Sequence, residues 1–482
     1  MSEQSAKRVL ASDLRGAGRK PAVPFCLVLA DGNTLCVRRL LRVLPGKRIV
    51  GEGEWGNRRV LAKLFVDGHS ERHWKQEKSG IAALRQVGIP TPELLLAEAL
   101  PTGGHVLLTD FLDAAQSLAD LWARFSALPA GNLEGLDLLR PAFALLGKLH
   151  AAGSVQNDLH LGNFLRSAGT LYAIDGDAVR AVTPDKPLDR KRAISNLAVL
   201  LAQLPPGWDA HKTDFLAAYT AGGGVHIGDD RQLADEVSRA RRRRLDDYLG
   251  KSLRDCTLFS VRRSAFRFCS VRRVETDGLS SILDAPDKAL CEGEMLKEGK
   301  TCTVARVDLP DQSVVIKRYN LKSTWHALER LARPSRAWHS WREGHRLSFF
   351  GVATPEPLAL IEERIGPLRR RAFLINAFCP GISLMEHLSP DREPDAATAT
   401  AILSLFNTLY QQRISHGDLK ATNLLWCEGQ LIVIDLDAMT QHTSSRTFAR
   451  AWRRDRARLL RNWPETSILH RWLDENLMAT NA

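Results

Sequence analysis

Three oxygen-bearing side chains stand at intervals that suit one kind of chemistry. In HGDLKATNLLWCEGQLIVIDLDA, from His416 to Ala438, Asp418 is followed after five residues by Asn423 and after a further twelve by Asp435. Transfer of a phosphoryl group from a nucleoside triphosphate needs a divalent cation held in place and an acceptor hydroxyl positioned for attack. Magnesium takes hard oxygen ligands and is usually held by one or two protein groups together with the phosphates. Asn423 and Asp435 suit that role, which leaves Asp418 to face the hydroxyl and accept its proton. The same set occurs 260 residues earlier in QNDLHLGNFLRSAGTLYAIDGDA, as Asp158, Asn163 and Asp175 at identical spacing. A lone Asp-x4-Asn is weak, since both residues are common in loops; the full pattern twice in one chain is specific.

The elements that must position these residues are also duplicated. GIPTPELLLA (Gly88 to Ala97) pairs with GVATPEPLAL (Gly351 to Leu360), and RVLAKLFV (Arg59 to Val66) with SVVIKRYN (Ser313 to Asn320). The last two read as apolar or alternating strands carrying one central lysine, Lys63 and Lys317. LLRPAFALLGKLH (Leu138 to His150) and AILSLFNTLYQQ (Ala401 to Gln412) are apolar at helical spacing, and each precedes its Asp-containing loop. Each half therefore reads as strands with a lysine, a helix, further strands, a long helix, a polar loop and a strand ending in Asp. The expected division is 1–250 and 251–482, with an arginine-rich helix from Arg231 to Asp255 closing the first half and paired strands from Cys256 to Arg273 opening the second.

GEGEWG (Gly51 to Gly56) matches a glycine-rich phosphate loop but stands too near Lys63. Only six residues separate Gly56 from the lysine, whereas two short strands and a turn need about twelve. It is expected to be a strand end and its turn. The better candidates are LPGKR (Leu44 to Arg48) and LKEGK (Leu296 to Lys300), in which Gly46 precedes Lys63 by 17 residues and Gly299 precedes Lys317 by 18. Backbone N–H groups at such turns face phosphate oxygens in many sites. Asp177 and Asp437 follow the metal aspartates by two and, on a continuing strand, would share their face. Pairing with an arginine is the expectation for both, ahead of a second metal.

The motifs HGDLKATNLLW…VIDLDA and NDLHLGNFL…AIDGDA resemble the catalytic and metal loops of the protein-kinase-like fold, and within it the lipopolysaccharide kinase (Kdo/WaaP) family. The resemblance spans roughly Leu41 to Leu201 and Glu292 to Leu460. It implies an α+β chain of two tandem protein-kinase-like bilobal domains, each with a small β-rich N-lobe and a mainly helical C-lobe bearing short catalytic and metal hairpins. It further implies ATP and Mg2+ as cofactors, with Lys63 and Lys317 on the α/β phosphates. The family pairs this lysine with a helix glutamate. Glu77 fits, eleven residues before Gly88. The same count back from Gly351 lands on Ser340; Glu343, one turn further on, either reaches Lys317 or is an ordinary surface glutamate. The first half departs at Gln156-Asn157-Asp158, where the family has His-Gly-Asp; the glutamine is expected to replace the histidine's hydrogen bond.

Composition agrees with a soluble globular protein: 44% hydrophobic and 25% charged residues over 482 positions, enough for two or three cores. No run of about 18 apolar residues suggests a membrane span, and MSEQSAKRVLASDLRGAGRK is not read as a signal peptide. Eight scattered cysteines without a CxxC pair are read as reduced thiols of a cytoplasmic protein. The net charge of +12 favours a negatively charged partner. RAWRRDRARLLR (Arg450 to Arg461) has six arginines in twelve residues, and Arg241 to Arg244 and Arg369 to Arg371 are unbroken runs. Nucleic acid is not expected, because no aromatic platform accompanies them. With 47 residues after Asp435 and no Ala-Pro-Glu landmark, the expected acceptor is not a peptide. The resemblance points instead to lipopolysaccharide core or a lipid-linked sugar, with basic helices in peripheral contact with an anionic inner-membrane leaflet. The alternatives are a non-catalytic nucleotide-binding scaffold and a protein kinase.

Overall fold

The computed structural model describes residues 7–125, 130–184, 186–228, 231–299, 301–320, 334–365 and 368–478. The chain divides into two units: Met1–Leu204 with Trp208–Arg241, and Pro205–Gly207 with Arg242–Ala482. The division falls inside the arginine-rich helix, which runs Arg231–Lys251. Leu233, Val237 and Ala240 belong to the core of the first unit, Leu245 and Leu249 to that of the second.

The first unit opens with a seven-stranded sheet. Its strands are β1 (Lys7–Arg8), β2 (Phe25–Val28), β3 (Thr34–Leu44), β4 (Arg48–Trp55), β5 (Arg58–Phe65), β6 (Leu94–Ala99) and β7 (His105–Asp110), in the order β1-β2-β3-β4-β5-β7-β6. Strand β5 shows why Lys63 matters. Val60, Ala62 and Leu64 alternate into the sheet core, so Lys63 and Phe65 face the other side. That side packs on the helix Ser70–Gln86, which buries Glu77, Gly80, Ile81 and Leu84 at helical spacing. A second, mainly helical part follows, built on the helices Leu133–Ala151, Arg190–Leu201 and Lys212–Ala221. It carries short strands β8 (Gln116–Ser117), β9 (Ser154–Gln156), β10 (Phe164–Ser167), β11 (Thr170–Ala173) and β12 (Val179–Ala181), paired as β11-β10-β8 and β12-β9.

The second unit repeats this plan. Strands β13 (Phe259–Arg263), β14 (Arg267–Arg272), β15 (Glu294–Glu298), β16 (Cys302–Asp308), β17 (Ser313–Tyr319), β18 (Pro357–Ile365) and β19 (Leu368–Ala377) lie in the order β13-β14-β18-β19-β17-β16-β15. Val314 and Ile316 enter the core, and Lys317 and Tyr319 face the helix Arg336–Phe349. The helical part contains Ala396–Gln411 and Ser445–Leu460. Its short strands β20 (Ile382–Ser383), β21 (Ile414–Ser415), β22 (Leu424–Cys427), β23 (Gln430–Val433) and β24 (Thr440–Gln441) pair as β20-β22-β23 and β21-β24. The five shared strands have one order, β3-β4-β5-β7-β6 in the first unit and β15-β16-β17-β19-β18 in the second. The extra strands cover opposite edges: β2 beside β3, β14 beside β18.

Two expectations are settled at this level. Residues 51–55 of GEGEWG lie within β4 and Gly56 in the turn after it, as the spacing argument requires. A Cβ on Gly51 or Gly53 would stand 2.8 Å from Arg39 O or 2.7 Å from Cys36 O, so these glycines serve the bulged β3–β4 pairing. The reading of all cysteines as free thiols is overturned: Cys26 and Cys36 are disulfide-bonded. They are direct partners across β2 and β3, a juxtaposition that follows from strand register and leaves no mark in the spacing. Among the described residues no helix is long and apolar enough to cross a membrane.

Candidate active site

The hairpin β10–β11 explains the twelve-residue interval. Its register pairs Phe164 with Ala173, and Ile174 N donates to Asn163 O at 2.9 Å, so Asn163 and Asp175 meet at one end. The hairpin β22–β23 does the same for Asn423 and Asp435, through Leu424 opposite Val433 and Ile434 N to Asn423 O at 3.0 Å. The five-residue interval is a loop closed by the asparagine. Asn163 Nδ2 donates to Asp158 O and Asn423 Nδ2 to Asp418 O, both at 2.8 Å. Each amide thereby commits its nitrogen and keeps Oδ1 as an acceptor. Asp175 and Asp435 sit in the left-handed region, with φ of 58° and 60°. That backbone is costly for a residue with a Cβ and clusters at functional sites. The strands stop there, and Asp177 and Asp437 lie on short 3-10 turns, contrary to the expectation of a continuing strand.

In the first unit Lys63 Nζ lies 2.6 Å from Glu77 and 2.6 Å from Asp175. Burial works against the charge on Lys63, but the two carboxylates outweigh it and raise its pKa. Burial likewise opposes the charge on Asp175, and Lys63 with Arg48 holds its carboxyl below the usual range. The helix bearing Glu77 comes close because Gly80 rests directly on Gly176 of the metal turn; a Cβ on Gly80 would stand 1.7 Å from Gly176 O. Asp177 pairs with Arg48 at 3.3 Å, as the arginine expectation has it.

The second unit solves the same problem with different residues. Glu343 is neither the lysine's partner nor a surface residue. It is 5% exposed and ion-paired to Arg346 at 2.8 Å, because one helical turn beyond position 340 it addresses its own helix. The position equivalent to Glu77 is Ser340, and its hydroxyl donates to Asp437 Oδ1 at 2.6 Å. Tyr319 donates to the same oxygen at 2.6 Å, and Arg336 to Oδ2. Lys317 Nζ then bridges Asp435 at 2.6 Å and Asp437 at 3.0 Å. Burial pushes the Asp437 carboxyl up, but Lys317, Ser340, Tyr319 and Arg336 hold it below the ordinary value. The lysine's second carboxylate thus comes from the turn that follows Asp435 instead of the helix.

The loops that carry Asp158 and Asp418 are held from behind by residues that no motif marks. Asp455 accepts the backbone N–H of His416 at 2.6 Å and of Gly417 at 3.0 Å. His416 Nε2 bonds Ile434 O at 3.0 Å, and Asp418 N donates to its Nδ1 at 3.3 Å. In the first unit Gln156 makes a similar pair, donating one residue further along, to Asp175 O at 3.2 Å, and accepting from Asp158 N at 3.4 Å. Asn196 takes the place of Asp455: its Oδ1 accepts Gln156 N at 3.3 Å and its Nδ2 donates to Gln156 O at 2.8 Å. Buried His150 backs it, with Nε2 3.0 Å from Asn196 Oδ1 and Nδ1 3.0 Å from the Tyr219 hydroxyl.

The glycine turns lie at strand ends of the sheets that carry Lys63 and Lys317. Gly46 (φ 69°) sits in the β3–β4 turn, closed by Lys47 N to Leu44 O at 3.0 Å; Pro45-Gly46 at its centre is the composition of a type II turn. Gly299 sits between β15 and β16, its carbonyl accepting Asn320 Nδ2 at 3.2 Å; Lys300 of the same turn lies outside the described residues. Among the described residues no cluster of three or more His, Cys, Asp or Glu could hold a metal. The donor set at each site is an amide oxygen and a carboxylate, which fits a cation completed by phosphates.

Each unit brings together a strand lysine tied to a carboxylate, a loop Asp and an Asn–Asp pair on a hairpin, and its architecture is that of the protein-kinase-like fold. Residues 290–476, within the second unit, match the Lipopolysaccharide kinase (Kdo/WaaP) family. The RIO-type serine/threonine-protein kinase Rio1 of Haloferax volcanii is 26% identical over 243 residues, covering 45% of this chain and 76% of that protein. Among solved structures, WaaP in complex with acyl carrier protein is similar over 42% of this chain and 88% of its own, at 17% identity and a TM-score of 0.34. Vaccinia related kinase 3 is similar over 48% and 88%, at 10% identity and a TM-score of 0.31.

Proposed function

We propose that the chain is an ATP-dependent phosphotransferase acting on a sugar hydroxyl of lipopolysaccharide core, heptose or Kdo, at the cytoplasmic face of the inner membrane. The observation that carries this reading is that the family match, residues 290–476, contains Lys317, Asp418, Asn423, Asp435 and Asp437 together. Asn423 Oδ1 and the Asp435 carboxylate would hold magnesium, as Asn163 and Asp175 would in the first unit. Bound magnesium nucleotide supplies the transferable phosphoryl group. Lys317 and Lys63 are the cations for its α/β phosphates, beside the turns at Gly299 and Gly46. Asp418 orients the acceptor hydroxyl and takes its proton. Asp437 keeps the lysine in place, and Asp455 keeps the loop in place. We assign catalysis to the second unit, with Asp158 as the corresponding base of the first. The arginine-rich helix Ser445–Leu460 is the candidate surface for an anionic leaflet.

The test is phosphate transfer from labelled ATP to extracted lipopolysaccharide by the full chain, D418N and D158N. A base contributes roughly 10²- to 10⁴-fold, and D418N is expected to lose that much, D158N far less. Transfer unchanged in both variants would exclude the roles given to Asp418 and Asp158, and no transfer by the parent chain to lipopolysaccharide or to protein would leave a nucleotide-binding scaffold. The likeness to a serine/threonine kinase favours a protein acceptor as the second reading, and label appearing on protein instead of lipopolysaccharide selects it.

A further inference from the structure

On the helix Ser445–Leu460, one turn beyond Asp455, stands Arg458. Its Nη2 contacts Oδ1 of Asp418, and Lys420 Nζ lies 3.2 Å from Oδ2 of the same carboxylate. Both oxygens of the candidate base therefore face a cation. The first unit shows that such a loop does not need the arginine. Asn196 stands there for Asp455, so the residue corresponding to Arg458 is Val199. Position 420 corresponds to His160, whose Nε2 is 3.8 Å from Asp158. Asp158 is 72% exposed, whereas Asp418 is 30% exposed.

Arg458 is itself 41% exposed, at the carboxylate an acceptor hydroxyl has to reach. Oδ1 of Asp418 is buried behind Arg458, so the hydroxyl meets Oδ2 and the arginine stays in place. One contact with Oδ1 uses one prong of the guanidinium, and its remaining N–H groups match a further carboxylate or phosphate in a two-pronged geometry. Resting on the phosphotransferase reading above, we propose that Arg458 is a specificity-determining residue that binds a carboxylate or phosphate carried by the acceptor next to its reacting hydroxyl. The second unit then selects anionic sugars over neutral ones.

The full chain, R458A and R458K are assayed with magnesium ATP on three acceptors: Kdo, which carries a carboxylate, a heptose phosphate, and neutral heptose. In R458A the KM for an anionic acceptor should rise about 10- to 100-fold, the range of a lost charge-assisted contact. R458K should show a smaller rise. The KM for ATP should stay as in the parent chain, and the loss on neutral heptose that comes from freeing Asp418 of its partner should be smaller than the loss on the anionic acceptors. A rise confined to Kdo or to heptose phosphate names the anion. Equal losses on neutral and anionic acceptors, or a raised KM for ATP, overturn the proposal and leave Arg458 as a support for Asp418. If the parent chain transfers to none of the three, the sugar-acceptor reading fails, and calorimetry with the same sugars decides the present one. Anionic sugar bound by the parent chain and not by R458A sustains it, and no binding by the parent chain ends it.

Discussion

Lys317 and Asp437 form an ion pair at 3.0 Å, while Glu343, on the neighbouring helix, is committed to Arg346. The anchor of the lysine therefore moves with the metal turn, and the helix joins through Ser340 and Arg336. In the first unit the anchor is Glu77, on the helix itself. D437N should lower kcat for phosphate transfer by roughly 10²-fold, the scale of a misplaced phosphate-binding group, and E343Q should change it little. Steady-state kinetics of the two variants check this. A larger loss in E343Q would return the anchor to the helix.

The loop behind Asp418 yields a second expectation. Asp455 satisfies two N–H groups, the buried one of His416 and the partly buried one of Gly417. D455A leaves both without their acceptor and should cost about 1–3 kcal/mol, chiefly for the buried N–H of His416, together with most of the activity. D455N should be milder, since Asn196 serves the first unit with an amide. Denaturant unfolding and kcat for both variants check it; equal damage from the two would mean that the negative charge of Asp455 is what the loop requires.

The hairpin geometry was legible because spacing alone encodes it. Two four-residue strands and a tight turn return Asp175 to Asn163 and Asp435 to Asn423. The lysines were legible because alternation in β5 and β17 assigns each a face. The partner of Lys317 was not, since it depends on how the helix Arg336–Phe349 registers against the metal turn, a tertiary relation. The Cys26–Cys36 bond was hidden for a similar reason, strand register. Asp455 does leave a signal in the sequence: it shares a helix face with Ala451, Trp452 and Leu459, all buried. An acid on an apolar stripe needs buried partners.

Gly80 offers a steric test of how the first unit closes. The space that a Cβ would need is filled by the backbone of Gly176, whose carbonyl oxygen lies 1.7 Å from where that methyl group would stand. Backbone on both sides leaves no flexible side chain to yield. G80A should destabilise the chain by about 1–3 kcal/mol, as overpacking does, and should weaken nucleotide binding by parting Glu77 from Lys63. Urea unfolding and calorimetry with magnesium nucleotide measure the two effects. Binding unchanged in G80A would show that the helix contact does not set the lysine.

His150 makes the first unit sensitive to acid. Burial lowers its pKa from 6.5 to about 4, although the Asn196 bond favours the charged form. The unfolded chain therefore takes up this proton first. The stabilising contribution is complete above pH 6.5 and is lost as the pH falls towards the folded value, by about 2 kcal/mol at pH 5. Protonation also places a donor on Nδ1, where the Tyr219 hydroxyl now donates, and so disturbs Asn196 and the loop at Gln156. His345 in the second unit, lowered by burial to about 3, acts in the same direction. Urea unfolding at pH 7.5 and pH 5 should show a smaller loss of stability in H150Q than in the parent chain. An equal loss in both would assign the acid sensitivity to other groups, and the loop would then keep its geometry whatever the charge on His150.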